Sequence, residues 1–247
     1  MKHIRPATAT LVALALAFGA TAQEHPTEQP FGQNLPEGFE LLYSTDFEDE
    51  AVLEDWELSD PDSWRIIEVD GRTVLEQFKG LESDYTPRVR SPKNIALLTK
   101  MKVGDFVLEV DVESTDIEKG AHRDICFFLG AKDPSNFYYI HVATAADPNA
   151  HNIFRVNDAP RTNIAQFTTE GVEWGVGEWH RIRIERTLED GMIRLFFNDM
   201  EEPIMYTEDH HFDFGHVGLG SFDDTCRFDR FRLYAAGPAP EREGFFR

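Results

Sequence analysis

Between residues 40 and 234 the chain is a succession of short apolar segments rich in Val, Ile, Leu, Phe and Tyr, each broken by Gly, Asp, Asn or Pro. No segment keeps a 3.6-residue apolar repeat for long, and several alternate apolar with polar positions. Alternation with a period of two marks an extended strand with one face on a core, because its successive side chains point to opposite faces. The pattern predicts strands over residues 64–68, 73–76, 96–99, 106–113, 125–129, 137–144, 153–156, 180–186, 192–197, 217–222 and 228–234. That is more than one twisted sheet carries without folding over, so two packed antiparallel sheets are expected. Asp190-Gly191 between two of these segments predicts a hairpin turn. The one helical turn expected lies near residues 202–207.

The ends read differently. Lys2 and Arg5 precede an apolar run over residues 11–18 and then the small residues Ala20-Thr21-Ala22, the order of a secretory signal peptide over residues 1–22. The apolar run is far shorter than the roughly 20 residues that span a bilayer, so no membrane insertion is expected. Residues 23–38 are polar and proline-bearing and read as a flexible lead-in, residues 39–236 as one folded domain, and residues 237–247 as a loose tail. The expected location is secreted or periplasmic.

Charge narrows the partners. The chain has 45 acidic and 24 basic residues and a net charge of −21, and loss of Lys2 and Arg5 with the leader makes it more acidic still. Such a surface repels nucleic acid and anionic lipid. Cys126 and Cys226 are the two cysteines. They allow one disulfide in an oxidising compartment, while the apolar strand around Cys126 equally suits a buried free thiol. No nucleotide-binding loop, nucleophile elbow or redox motif is present.

Several segments together resemble a known architecture. They are Asp46-Phe47-Glu48, Trp64-Arg65-Ile66 followed by Asp70-Gly71, and Gly104-Asp105-Phe106-Val107-Leu108-Glu109. Trp179-His180-Arg181-Ile182-Arg183, Phe214-Gly215-His216-Val217-Gly218-Leu219 and Phe228-Asp229-Arg230-Phe231-Arg232-Leu233 complete the set. In this order they resemble the concanavalin A-like jelly roll, most closely the 3-keto-disaccharide hydrolase domain family and laminin-G-like relatives, over residues 41–234. The resemblance implies an all-β, two-sheet antiparallel jelly-roll sandwich and carbohydrate as the partner. It also implies a structural calcium ion at Asp229, with Asp46 or Glu48 as its companion, a hard cation suited to oxygen ligands.

Three constellations could carry chemistry. Glu109, Asp111 and Glu113 share one face of a strand and match the acidic pattern of laminarinase-type hydrolases, where paired carboxylates act on one glycosidic bond. The plain alternative is a solvated outer face in an acidic protein. The second constellation runs from His122 to Arg161: His122, Arg123, Asp124, Tyr139, His141, Asn152, Asn157 and Arg161 are the planar amides, charges and aromatics that grip sugar hydroxyls and ring faces. Here Asp124 and His141 are the expected proton-transfer groups. The alternative is a self-satisfied structural cluster. A Tyr or His base beside an Arg would also suit a polysaccharide lyase. The third is Asp223-Asp224, expected to line the same cleft or to cap a turn. Trp174, in a glycine-flanked loop, is the expected sugar-stacking platform, and Trp179 a core residue. A glycoside-hydrolase-like activity, a binding-only module and a lyase all remain open at this point.

Overall fold

The computed structural model describes residues 29–237 and 239–240. The expected signal peptide, the first part of the lead-in and the end of the tail lie outside the described residues. The first strands are β1 (Glu40–Thr45), β2 (Trp56–Leu58), β3 (Trp64–Val69), β4 (Arg72–Gln77), β5 (Asn94–Val103) and β6 (Phe106–Ser114). β7 (Asp124–Asp133), β8 (Asn136–Ala143), β9 (Asn152–Asn157), β10 (Thr162–Asn163), β11 (Phe167–Thr168) and β12 (His180–Arg186) follow. β13 (Met192–Phe197), β14 (Met205–Glu208), β15 (Gly215–Ser221), β16 (Cys226–Ala235) and β17 (Ala239–Pro240) complete the order.

These strands form two antiparallel sheets. Sheet A runs β11-β14-β13-β12-β6-β16-β4-β3, with β1 also on β16, and sheet B runs β10-β9-β8-β7-β15-β5-β17, with β2 also on β5. Each strand segment read from the apolar pattern lies on one of these strands, those over 137–144 and 217–222 running one residue past the observed ends. The Asp190-Gly191 turn joins β12 to β13, with Gly191 at φ 69° and the Asp190 carboxylate accepting the Met192 N–H at 3.0 Å. The helical turn expected near residues 202–207 is instead the start of strand β14. Its alternate residues Met205 and Thr207 are buried and pair with Leu195 and Ile193, so an exposed sheet edge overrides a weak local helix signal.

The facing surfaces of the sheets make the main core. Leu108, Val110 and Val112 of β6 and Ile182 and Ile184 of β12 meet Ile125, Phe127, Ile140 and Val142 of β7 and β8. Burying so many aliphatic side chains, each worth about 1.5–3 kcal/mol, is what holds the sandwich closed. Period two then sends every alternate residue outward, and both outer faces are largely covered.

On sheet A the outward residues are charged and paired across strands. Glu113, Arg227, Glu76 and Arg65 stand in one row across β6, β16, β4 and β3, alternating in sign. Arg227 donates to Glu76 at 2.8 Å and to Glu113 at 3.0 Å, and Arg65 donates to Glu76 at 2.7 Å. In the next rows Arg181 donates to Asp111 at 2.5 Å and Arg183 to Glu109 at 3.0 Å, and Arg230 also grips Asp111. Glu109, Asp111 and Glu113 are therefore neither a solvated face nor an open carboxylate set. They are buried, because β12 and β16 place arginines directly opposite them.

The described part of the lead-in closes this face. Gly32 N–H donates to Glu109 at 2.7 Å, the carbonyls of Gln29 and Gln33 accept from Arg181 and Arg183, and the Phe31 ring lies 3.6 Å from the Arg181 guanidinium. At the other end of the domain Ala239 and Pro240 pair with Lys102 and Met101 on β5.

His151 leads into β9 with φ 51°, its Nδ1 accepting the Ala143 N–H at 3.2 Å and its Nε2 3.0 Å from Thr169 Oγ1. Burial, reinforced by the nearby His141, lowers its pKa from 6.5 to about 4.

Two outcomes follow. Asp111→Asn removes the charge that faces the buried Arg181 and the partly exposed Arg230 and lowers stability by about 3–5 kcal/mol, whereas Arg65→Ala, on a half-exposed pair, costs under about 1 kcal/mol, both read from urea-denaturation midpoints. Because the folded state resists protonation of His151, the stability that its neutral form contributes is present above pH 6.5 and is lost as pH falls toward 4, by about 3 kcal/mol in all. The stability gap between the native chain and His151→Asn, which tolerates the positive φ, therefore narrows over that interval. A gap that stays constant would contradict it.

Candidate functional site

The β7–β8 hairpin builds one half of the site. Cys126 pairs with His141 and Phe128 with Tyr139 across the two strands, so Asp124, Cys126 and Phe128 share the outer face of sheet B with Tyr139 and His141. Phe154 of β9 extends that face, stacking on Tyr139 at 5.0 Å between ring centroids. Deeper along the strands this surface is apolar and covered by Val89 and Phe222.

The β15–β16 turn supplies the other half. The Asp124 carboxylate accepts the Phe222 N–H at 2.8 Å through Oδ1, and the Asp124 N–H donates to Asp224 Oδ2 at 2.7 Å. Lys119 Nζ, from the short 3-10 segment Ile117–His122, sits 3.0 Å from both Asp223 and Asp224. These contacts fix the Phe222 ring parallel to His141, at 5.7 Å and 14°. Burial, with the adjoining Asp124 charge adding to it, pushes the Asp224 carboxyl up to about 8 in spite of Lys119.

Asp124 Oδ2 lies 3.1 Å from His141 Nε2, and His141 Nδ1 lies 3.2 Å from the Asn149 carbonyl. A carbonyl can only accept, so Nδ1 carries a proton. The loop carrying Asn149 is fixed by Asn152, whose amide donates to the carbonyls of Asp147 and Ala150. Arg161 donates to the Tyr139 hydroxyl at 2.5 Å and lies over both Phe154 and Phe222, and Arg90 also stands over Phe222.

The result is a pocket of about 270 Å³ walled by His122, Asp124, His141, Arg161, Phe222 and Asp223. Chain segments a hundred residues apart, around Asp124 and around Asp224, thus meet in one cleft. Tyr139 and Asn152 stand behind this wall as supports, and Asp224 is wholly buried beneath it.

Three residues read as sugar contacts are placed elsewhere. Arg123 is buried and turned away, donating to Ser114 Oγ at 2.8 Å and to the carbonyls of Ser114 and Gly175. Asn157 is exposed at the far end of β9, opposite Asn136. Trp174 cannot be a stacking platform, since it is 2 % exposed within the main core and its indole donates to the Arg123 carbonyl. Its glycine-flanked loop folds inward because a tryptophan gains more from the core than from solvent. Trp179 is buried as expected.

Phe222, Arg90 and Lys119 were not foreseen in these roles. The position of Phe222 directly before Asp223-Asp224 was the available signal, whereas Arg90 and Lys119 lie in segments without periodicity.

A larger cavity of about 600 Å³ lies on the outer face of sheet A. Its arginines, Arg181 and Arg183, are already committed to Asp111, Glu109 and Glu185, and to the carbonyls of the lead-in. The smaller pocket holds a buried imidazole nitrogen, His141 Nε2, that makes no hydrogen bond. Asp229 and Asp46, implied for calcium, face Arg72 at 3.4 Å and Arg232 at 2.6 Å. Groups of side chains whose ligand atoms could share a cation, among the described residues, are Asp124, Cys126 and His141, and Asp124, Asp223 and Asp224. Both thiols are free and buried, Cys126 in the outer cluster and Cys226 in the main core.

No protein-family model matches the chain, and no curated protein sequence is similar to it. Solved structures do share its shape. A carbohydrate binding module, CBM66 from Bacillus subtilis, aligns with a TM-score of 0.51 at 16% identity, over 73% of this chain and 96% of its own. Winged bean acidic lectin, complexed with methyl-α-D-galactose, aligns at 0.52 with 14% identity, over 79% and 98%. The GH43 protein BlXynB from Bacillus licheniformis aligns at 0.53 with 15% identity, over 83% of this chain but 41% of its own. At these identities the likeness is one of fold: the chain is a two-sheet antiparallel jelly-roll sandwich.

Proposed function

We propose that this protein is an extracytoplasmic glycan-active domain, glycoside-hydrolase-like in its chemistry, that takes a short stretch of poly- or oligosaccharide into the pocket over β7, β8 and the β15–β16 turn. The observation that carries the reading is the convergence of Asp124, His141, Arg161 and Phe222 on that one pocket. Guanidinium forks and carboxylates read pairs of ring hydroxyls, and an aromatic ring offers a surface to the apolar side of a sugar. The lectin and carbohydrate-binding neighbours support a sugar as the ligand.

In this reading Asp124 and His141 move the proton. The Asn149 carbonyl selects the His141 tautomer, leaving Nε2 beside the Asp124 carboxylate at the pocket floor. A second reading, binding without cleavage, is favoured by one specific observation: Asp124 is already engaged by the Phe222 N–H and by His141, so the pair also makes sense as a rigid wall.

The test is retention and cleavage on a panel of neutral and uronate glycans. Hydrolysis predicts new reducing ends that fall about 10²–10⁴-fold in Asp124→Asn and His141→Ala, while retention on the same glycan persists. Arg161→Ala should weaken retention itself. Retention without new ends establishes the binding-only reading, and unsaturated products absorbing in the ultraviolet establish a lyase. A protein that neither retains nor cleaves any of them contradicts a glycan role.

A further inference from the structure

We propose that Asp124, Cys126 and His141 form a binding site for a zinc-class divalent cation at the floor of the pocket, with one coordination position open to it. The three residues reach one point because of strand geometry. Asp124 and Cys126 are two apart on β7 and so share a face, and His141 stands directly opposite Cys126 on β8. All three are buried, at 2 %, 0 % and 5 % exposure, and their ligand atoms lie within 4.8 Å of one another.

The separations suit a small tetrahedral ion. His141 Nε2 is 3.1 Å from Asp124 Oδ2, and Cys126 Sγ is 3.8 Å from Asp124 Oδ1. Metal bonds of about 2.0–2.3 Å at tetrahedral angles set neighbouring ligand atoms roughly 3.3–3.7 Å apart. The two contacts use different oxygens of Asp124 and the set as a whole spans up to 4.8 Å, so the side chains close in by up to about an ångström to complete the site.

The imidazole is the independent pointer. Nε2 is buried and makes no hydrogen bond, despite its closeness to Asp124. With the ring proton on Nδ1, against the Asn149 carbonyl, Nε2 presents a lone pair beside a carboxylate. Two acceptor atoms held so close call for positive charge between them, which a metal ion supplies in the loaded site and a second ring proton in its absence. The outer contacts are also those of a metal site: the ligating histidine's other nitrogen donates to a backbone carbonyl, and Asp124 Oδ1 is oriented by the Phe222 N–H.

Donor chemistry chooses the ion. A thiol, an imidazole and a carboxylate favour zinc and its borderline neighbours over calcium or magnesium. The adjacent carboxylate group of Asp223 and Asp224 is already served by Lys119, which disfavours a hard cation there. Asp124 and His141 line the pocket and Cys126 does not, so the ion enters from the pocket and its fourth position faces whatever occupies it. On binding, the Cys126 thiol loses its proton to solvent as the sulfur–metal bond forms.

Cobalt(II) added to chelator-treated full-length protein is the probe. One equivalent is expected to give a thiolate-to-cobalt charge-transfer band that Cys126→Ser abolishes and Cys226→Ser leaves unchanged. Competing zinc should displace the cobalt, with an affinity reduced in His141→Gln by more than the roughly 10–100-fold that losing an outer hydrogen bond costs such sites. No band in the native protein overturns the proposal whatever the variants do, and so does a band that survives Cys126→Ser. A bound ion takes Asp124 and His141 as ligands, so the proton-transfer role proposed for that pair belongs to the metal-free pocket. Because no glycan is present, this result is independent of whether the pocket retains a sugar.

Discussion

Asp124 joins pieces of chain a hundred residues apart. Its carboxylate takes the Phe222 N–H and its own N–H donates to Asp224, which clamps the β15–β16 turn onto the first residue of β7. The pocket depends on this joint. It sets the Phe222 ring against His141, gives Arg161 and Arg90 an aromatic surface to lie on, and brings Asp223 to the rim beside Lys119. The arrangement needs buried carboxylates close together, an unfavourable placement that Lys119 and two backbone N–H groups offset.

The two outer faces of the sandwich meet one constraint in opposite ways. Strand alternation forces every second residue outward, and a covered outward charge must find a partner. Sheet A answers with alternating acids and arginines in cross-strand rows, sealed by the chain leading into β1. Sheet B carries an aromatic and aliphatic cluster instead, and concentrates its polar residues at one end, where they hold one another and line a pocket. This contrast is why the smaller cavity, and not the larger, is the functional candidate.

The strands were legible in the sequence because period two is a local property that any window of the chain reveals. The jelly-roll arrangement was legible through the order of its segments, and is matched by the solved neighbours. Asp124, His141, Arg161 and Asp223 could be singled out as unusual polar residues beside apolar strands, and they do converge. What was hidden is partnership across long separations. Nothing near Glu109, Asp111 or Glu113 announces Arg181, Arg183 or Arg227, and nothing near Trp174 shows that its loop folds into the core. Nor does a proline-bearing lead-in reveal that Phe31 packs on Arg181.

The most direct test of the account is a crystal structure of the protein with an oligosaccharide that it retains. The account predicts the sugar in the pocket at Asp124 and His141, with a ring edge against Phe222 and hydroxyls within hydrogen-bond reach of Arg161. A sugar seated instead along the Arg181–Arg183 groove of sheet A, with the sheet B pocket left to solvent, would contradict it.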